Sequence, residues 1–136
     1  MAASPVFVAT PKITPQSWTN SDSANTKKTI CTAGASGSKV VAVLVSSTDS
    51  SARVFQLFLN RSSTDYLLGS LSIAVTAGSD GATSTANLLS LIPGVPRDND
   101  GQPYLYLESG DLLKANNVTQ VTSAKEIDVT VIFGNF

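Results

Sequence analysis

The sequence predicts an all-β chain folded as an antiparallel sandwich. Three observations point there. Runs rich in Val, Leu, Ile and Phe recur along the chain, and these side chains suit a pleated, half-buried surface. Clusters of Gly, Pro, Asn, Asp and Ser separate them at short, fairly even intervals. Only 14% of the residues are charged while 42% are apolar, and Ser and Thr together number 33. That is the balance of a hydroxyl-lined β protein and not of a disordered chain.

The densest apolar stretch, Ser38 to Asn60, reads as two long strands joined in a hairpin by Ser46-Ser47-Thr48-Asp49-Ser50-Ser51. Side chains alternate between two faces along a strand. Val41, Val43 and Val45 therefore oppose Val40, Ala42 and Leu44, while Arg53, Phe55, Leu57 and Leu59 oppose Val54, Gln56, Phe58 and Asn60. Neither strand has a fully polar side. One face builds the core; the other, carrying Val40, Leu44 and Phe58, is expected to need cover from another segment or subunit.

Residues 1–25 differ in character. Pro5, Pro11 and Pro15 punctuate extended segments around Val6-Phe7-Val8 and Ile13, with Trp18 following. Proline cannot donate to a β ladder, so this region is either an edge strand with Trp18 closing the core, or an arm docking on a neighbour by strand addition. Residues 26–136 form the expected sandwich domain. Lys27–Thr32 reads as a short strand with Ile30 and Cys31 turned inward, and Ala33–Gly37 as a tight turn. Arg61-Ser62-Ser63 turns the chain into Tyr66–Leu68; Gly69 breaks that run before Leu71–Val75. Ala77–Thr83 is a loop, and Ser84–Leu91 reads as one short helical turn capped by Ser84 in preference to a short strand. Pro103–Glu108, Leu112–Ala115 and Glu126–Phe133 complete about eight strands, the spacing of a sandwich or jelly roll.

Composition removes several kinds of function. Histidine is absent, and with it the commonest general base and metal ligand. Nine basic residues against ten acidic ones are spread along the chain, with Lys27-Lys28 as the only basic pair, which argues against nucleic-acid binding. Cys31 is the only cysteine, so no intrachain disulfide forms and a core role is expected. No apolar run is long enough to span a membrane, and the start does not read as a secretory signal. A soluble protein, folded where it is made, is expected.

The motifs favour plain readings. Asp98-Asn99-Asp100-Gly101 would need ligands at Pro96 and Leu107 to be a calcium loop, so it is a turn; a looser surface calcium site from Asp98, Asp100 and Glu108 or Asp111 stays open. Gly34–Ser38 lacks the Gly-Lys-Ser/Thr of a phosphate loop. Glu126 and Asp128 share a strand face, but the solvent one. Asn60-Arg61-Ser62 and Asn117-Val118-Thr119 match the short glycosylation pattern without a secretion signal to support it.

Several stretches resemble small virion proteins of tailed bacteriophages. They are Thr32–Ser38 followed by Val40–Val45, Ser46–Asp49 with Ala52–Val54, Tyr66–Gly69, Tyr104–Leu107, Gly110–Ala115 and the ending Val129–Phe136, together spanning roughly residues 25–136. Within that group the size suggests a capsid cement (decoration) protein with a jelly-roll fold. The resemblance implies a homo-oligomer, dimer or trimer, made in the host cytoplasm. It would sit on the outer surface of the capsid and bridge subunits of the major capsid protein, with no cofactor, metal or catalytic residue. Val6, Phe7, Val8, Ile13, Trp18, Val40, Leu44 and Phe58 are the residues expected to meet partners. Tail and fibre proteins share the architecture, and Tyr104 and Tyr106 near Asp98 and Asn99 keep open a module that binds a host glycan.

Overall fold

Nine strands and one short 3-10 turn form among residues 8–136, the part of the chain that the computed structural model describes. The strands are β1 (Thr10–Thr19), β2 (Lys27–Thr32), β3 (Ser38–Ser47), β4 (Arg53–Arg61), β5 (Thr64–Ile73), β6 (Ala86–Asn87), β7 (Leu105–Leu107), β8 (Leu112–Asn117) and β9 (Glu126–Asn135). They make two antiparallel sheets. In sheet A the order is β1-β9-β3, with β6 and β7 both pairing with β3; in sheet B it is β2-β8-β4-β5. The pairing is nested, outermost strand with last and innermost with its neighbour. With β6 and β7 sharing one edge position, this is the eight-position winding of a jelly roll.

The core fills the space between the sheets. Trp18 and Phe55 meet edge to face at 5.2 Å between ring centres, and Ile30, Leu57, Ile73, Leu113 and Ile127 are fully enclosed around them. The Trp18 indole N–H, which burial would otherwise strand, donates to the Thr26 carbonyl at 3.0 Å. Cys31 is buried as expected, and burial pushes its thiol up to about 12.

The connection after β3 is not a hairpin. β3 and β4 lie in different sheets, and residues 48–52 carry the chain across between them. Asp49, with no exposed surface, anchors the crossing. It accepts hydrogen bonds from Arg53 Nε at 2.8 Å, Thr122 Oγ1 at 2.7 Å, and the backbone N–H groups of Ser51 and Thr122. A strand apolar on both faces does not show which neighbour it pairs with; here the buried carboxylate ties the crossing to Arg53 and Thr122.

Three β-bulges shift the alternation. On β3 the extra residue is Val41, so Val40 turns into the core beside Val43 and Val45 while Val41 faces solvent. On β2 the shift at Ile30 buries both Ile30 and Cys31. On β5 it falls at Leu68, and this lets Thr64–Ile73 run as one strand through Gly69 instead of breaking there. The helical turn is present at Leu88–Leu91, but its cap is Asn87, whose side chain accepts from the Leu89 N–H. Ser62 and Ser63 both have positive φ, 53° and 64°, and form the two-residue turn between β4 and β5.

Candidate functional site

The outer face of sheet A is an apolar field graded into a polar one. Residues paired directly across strands point to the same side, so the register lays out the face row by row. One row is Pro11, Gly134, Lys39 and Tyr106; the next is Ile13, Ile132 and Ala42; then Pro15, Thr130 and Leu44; then Ser17, Asp128 and Ser46. Ile13 is 66% exposed and Tyr106 58%, and Val41 bulges out beside Ala42. Val8 packs over Gly134, where a side chain would collide with it. Toward the other end of the strands the face becomes hydrophilic, and the Ser17 hydroxyl donates to Asp128 at 2.8 Å.

The outer face of sheet B differs. Its rows read Lys27, Asn116, Gln56 and Ser70, then Thr29, Lys114, Phe58 and Leu67. Phe58 is only 8% exposed because the chain covers it: the Lys27 ammonium lies 4.2 Å above its ring while holding Asp65 at 2.9 Å. The expected continuous patch of Val40, Leu44 and Phe58 therefore does not exist. Val40 and Trp18 are core residues with no surface to offer, and Phe58 lies on the opposite sheet from Leu44. Leu44, Ile13 and Val8 do lie on one face, and Val6 and Phe7 fall outside the described residues. Val41 and Ile132 belong to the same field and were not singled out by sequence; Tyr106 belongs to it too, though the sequence marked it only as a candidate glycan contact. Val41 is hidden by the bulge; Ile132 was missed because Ile127, Val129, Val131 and Phe133 define the other side of its strand.

The outer edge of β1 is closed to strand addition. Odd-numbered residues of β1 turn their N–H groups away from β9, as the Ser17 and Thr19 hydrogen bonds show. Pro11 and Pro15 have no N–H, the Ser17 N–H is taken by the Gln16 side chain, and the Thr19 N–H is taken by Asp22. That leaves the Ile13 N–H alone. By contrast the ten residues of β5 make no backbone hydrogen bond on their outer side among the described residues, and Tyr66 and Leu67 are both more than half exposed there.

Other candidates resolve into structural roles. Asp98 uses its carboxylate to hold the N–H groups of Asp100 and Gln102 within its own turn. Asp111 is gripped by Arg61 through two bonds of 2.7 Å, and no cluster of three metal-ligating side chains occurs among the described residues. Asn60 and Asn117 are buried, so neither presents its amide for glycosylation. No described helix is long and apolar enough to cross a membrane.

No protein-family model matches the sequence, and no curated protein matches it. Solved structures do match in fold. The chain superposes on a chain of the acidic stable capsid structure of Helicobacter pylori bacteriophage KHP30 with a TM-score of 0.58 at 11% identity, over 94% of this chain and 90% of that one. It also aligns with a chain of the cyanophage Pam1 capsid asymmetric unit at 17% identity and a TM-score of 0.47, over 100% and 92% of the two chains. A third match, at 10% identity and a TM-score of 0.35 over 100% and 86%, is to the virus-like particle of the giant freshwater prawn Macrobrachium rosenbergii extra small virus. The first of these shows the shared β-sandwich fold.

Proposed function

We propose that this chain is a non-enzymatic structural protein of a bacteriophage particle. In this reading it is a capsid cement protein that docks on the outside of the shell and bridges neighbouring major capsid subunits. The observation that carries the reading is the apolar field on sheet A. Ile13, Val41 and Tyr106 stand exposed on rigid strands, with Ile132, Ala42 and Leu44 between them. The capsid origin of the superposing chain supports placing it in a virion. Full burial of one such side chain is worth about 1.5–3 kcal/mol. A face with a handful of them gives modest affinity per copy, and repetition over a symmetric shell makes the sum large.

Residues 1–7 precede Val8 in sequence, and Val8 packs on Gly134 at the upper row of this field. They form an arm in this reading, with Val6 and Phe7 adding apolar anchors next to Val8. Self-association into a dimer or trimer uses the outer edge of β5, since β1 is closed. Ile13→Asp and Val41→Asp test the docking. Each should leave the melting temperature within a few degrees of the parent while abolishing retention on capsid shells in co-sedimentation. Retention at parental levels by both variants would exclude sheet A as the docking face.

A further inference from the structure

We infer that the aromatic cleft at the upper end of sheet A is a receptor for a basic side chain, an arginine above all, presented by a partner protein. The cleft, of about 530 Å³, opens between the turn at Ser36-Gly37 and the turn at Glu108-Ser109, with Tyr106, Leu107 and Phe136 along its base. Tyr106 and Phe136 have ring centres 6.0 Å apart at an angle of 41°, and Tyr104 lies 5.1 Å behind Tyr106. Aromatic faces carry negative quadrupole density and attract cations.

The chain already uses this contact three times. Lys27 lies over Phe58, Lys28 over Trp18, and Lys39 over Tyr104 at 4.8 Å. Tyr104 is thus supplied with a cation from outside the cleft, whereas Tyr106 and Phe136 have none among the described residues.

The charge around the cleft points the same way. Glu108 stands at its rim with a side chain 78% exposed and reaches Arg61 at 3.4 Å. The Arg61 guanidinium is itself held by Asp111 through bonds of 2.7 Å from both Nε and Nη2. Glu108 carries the one charged side chain among the residues lining the cleft. Beside it Arg61 and Asp111 neutralise each other, and Lys39, paired across the strands with Tyr106, is turned onto the Tyr104 ring. Ser36 and Ser109 make no side-chain hydrogen bond to the rest of the described chain, so their hydroxyls are available to guanidinium donors. A planar guanidinium can stack on Tyr106 while donating to Glu108 and the rim, which a compact ammonium does less well. An anionic ligand would meet Glu108 with no free cation in the cleft to compensate.

The test uses the whole chain and three probes: the tripeptide Gly-Arg-Gly, its counterpart Gly-Glu-Gly, and maltose as a neutral sugar. Ring proton resonances of Tyr106 and Phe136 are followed by NMR. Gly-Arg-Gly should shift both saturably, and binding should weaken in high salt. Glu108→Gln should raise its dissociation constant by at least about ten-fold, a difference of about 1.4 kcal/mol. Tyr106→Leu, which keeps an apolar side chain but removes the ring, should abolish the shifts, and Val75→Ala, at the opposite end of the sandwich, should leave them unchanged. Absence of saturable shifts with Gly-Arg-Gly, or equal response to Gly-Glu-Gly or maltose, would overturn the inference. A preference for maltose would identify a saccharide site instead. Shell binding plays no part in these measurements, so their outcome is independent of the docking experiment.

Discussion

Asp49 shows how much of this fold rests on single polar side chains. Burial would raise its pKa, but hydrogen bonds from Arg53, Thr122 and Ser51 outweigh that and hold it well below the ordinary 3.8. Removing one partner of a buried ion pair typically costs 3–5 kcal/mol, so Asp49→Asn should lower unfolding stability by about 3 kcal/mol in urea titrations. Asp22, Asp65, Asp80 and Asp111 are depressed too, by hydrogen bonds and, at all but Asp80, by neighbouring cations. A carboxylate depressed in the folded state binds its proton more readily in the unfolded one. Its contribution is therefore present above the unfolded value near 3.8 and is lost as pH falls through the folded one. Thermal stability should decline from about pH 4 downward, and Asp49→Asn should show a shallower acid limb than the parent. Gly37 is a second point of dependence. Its φ is +87°, and a Cβ there would lie 2.7 Å from the Leu107 carbonyl oxygen, so Gly37→Ala should cost at least about 1 kcal/mol in the same titrations. Both positions lie in stretches that sequence reading could only mark as turns.

At the level of elements, the strands were legible and their arrangement was not. Lys27–Thr32 runs as its composition indicates, and the Glu126 strand begins where its alternation does. The faces of β3 went astray because one bulged residue reverses every side chain on one side of it, and nothing in Lys-Val-Val-Ala-Val-Leu-Val marks Val41 as the extra one. The same blindness placed Val40 on a docking face and left Val41 off it. The crossing between β3 and β4 is tied by Thr122 to Asp49 over a separation of 73 residues, a contact that no local pattern carries. The prolines of β1, by contrast, were informative at once, and their role is now specific: they withhold donors from an exposed edge. Replacing Pro11 and Pro15 together by Thr restores two outward N–H groups. The double variant should self-associate further than the parent at equal concentration in sedimentation velocity, with unchanged β content by circular dichroism. An unaltered sedimentation profile would show that the prolines do not guard the edge.

For the molecule as a whole, nested pairing makes the time order of synthesis matter. β9 is inserted between β1 and β3, and β8 between β2 and β4, so each sheet has its inner seam filled by a strand that arrives late. Most contacts join residues far apart in the chain, the topology that slows folding. During translation β1 to β5 emerge with their future partners still unmade, and only the β4–β5 hairpin can close on its own. Removing residues 126–136 should therefore leave a chain without cooperative unfolding and readily cut by protease, even though every other strand is present; a protected fragment would disprove this dependence. The prolines of β1 face the side that β9 never covers. With Pro11 and Pro15 unable to donate there, that border offers a neighbouring nascent chain on the same polysome only the Ile13 N–H to pair with.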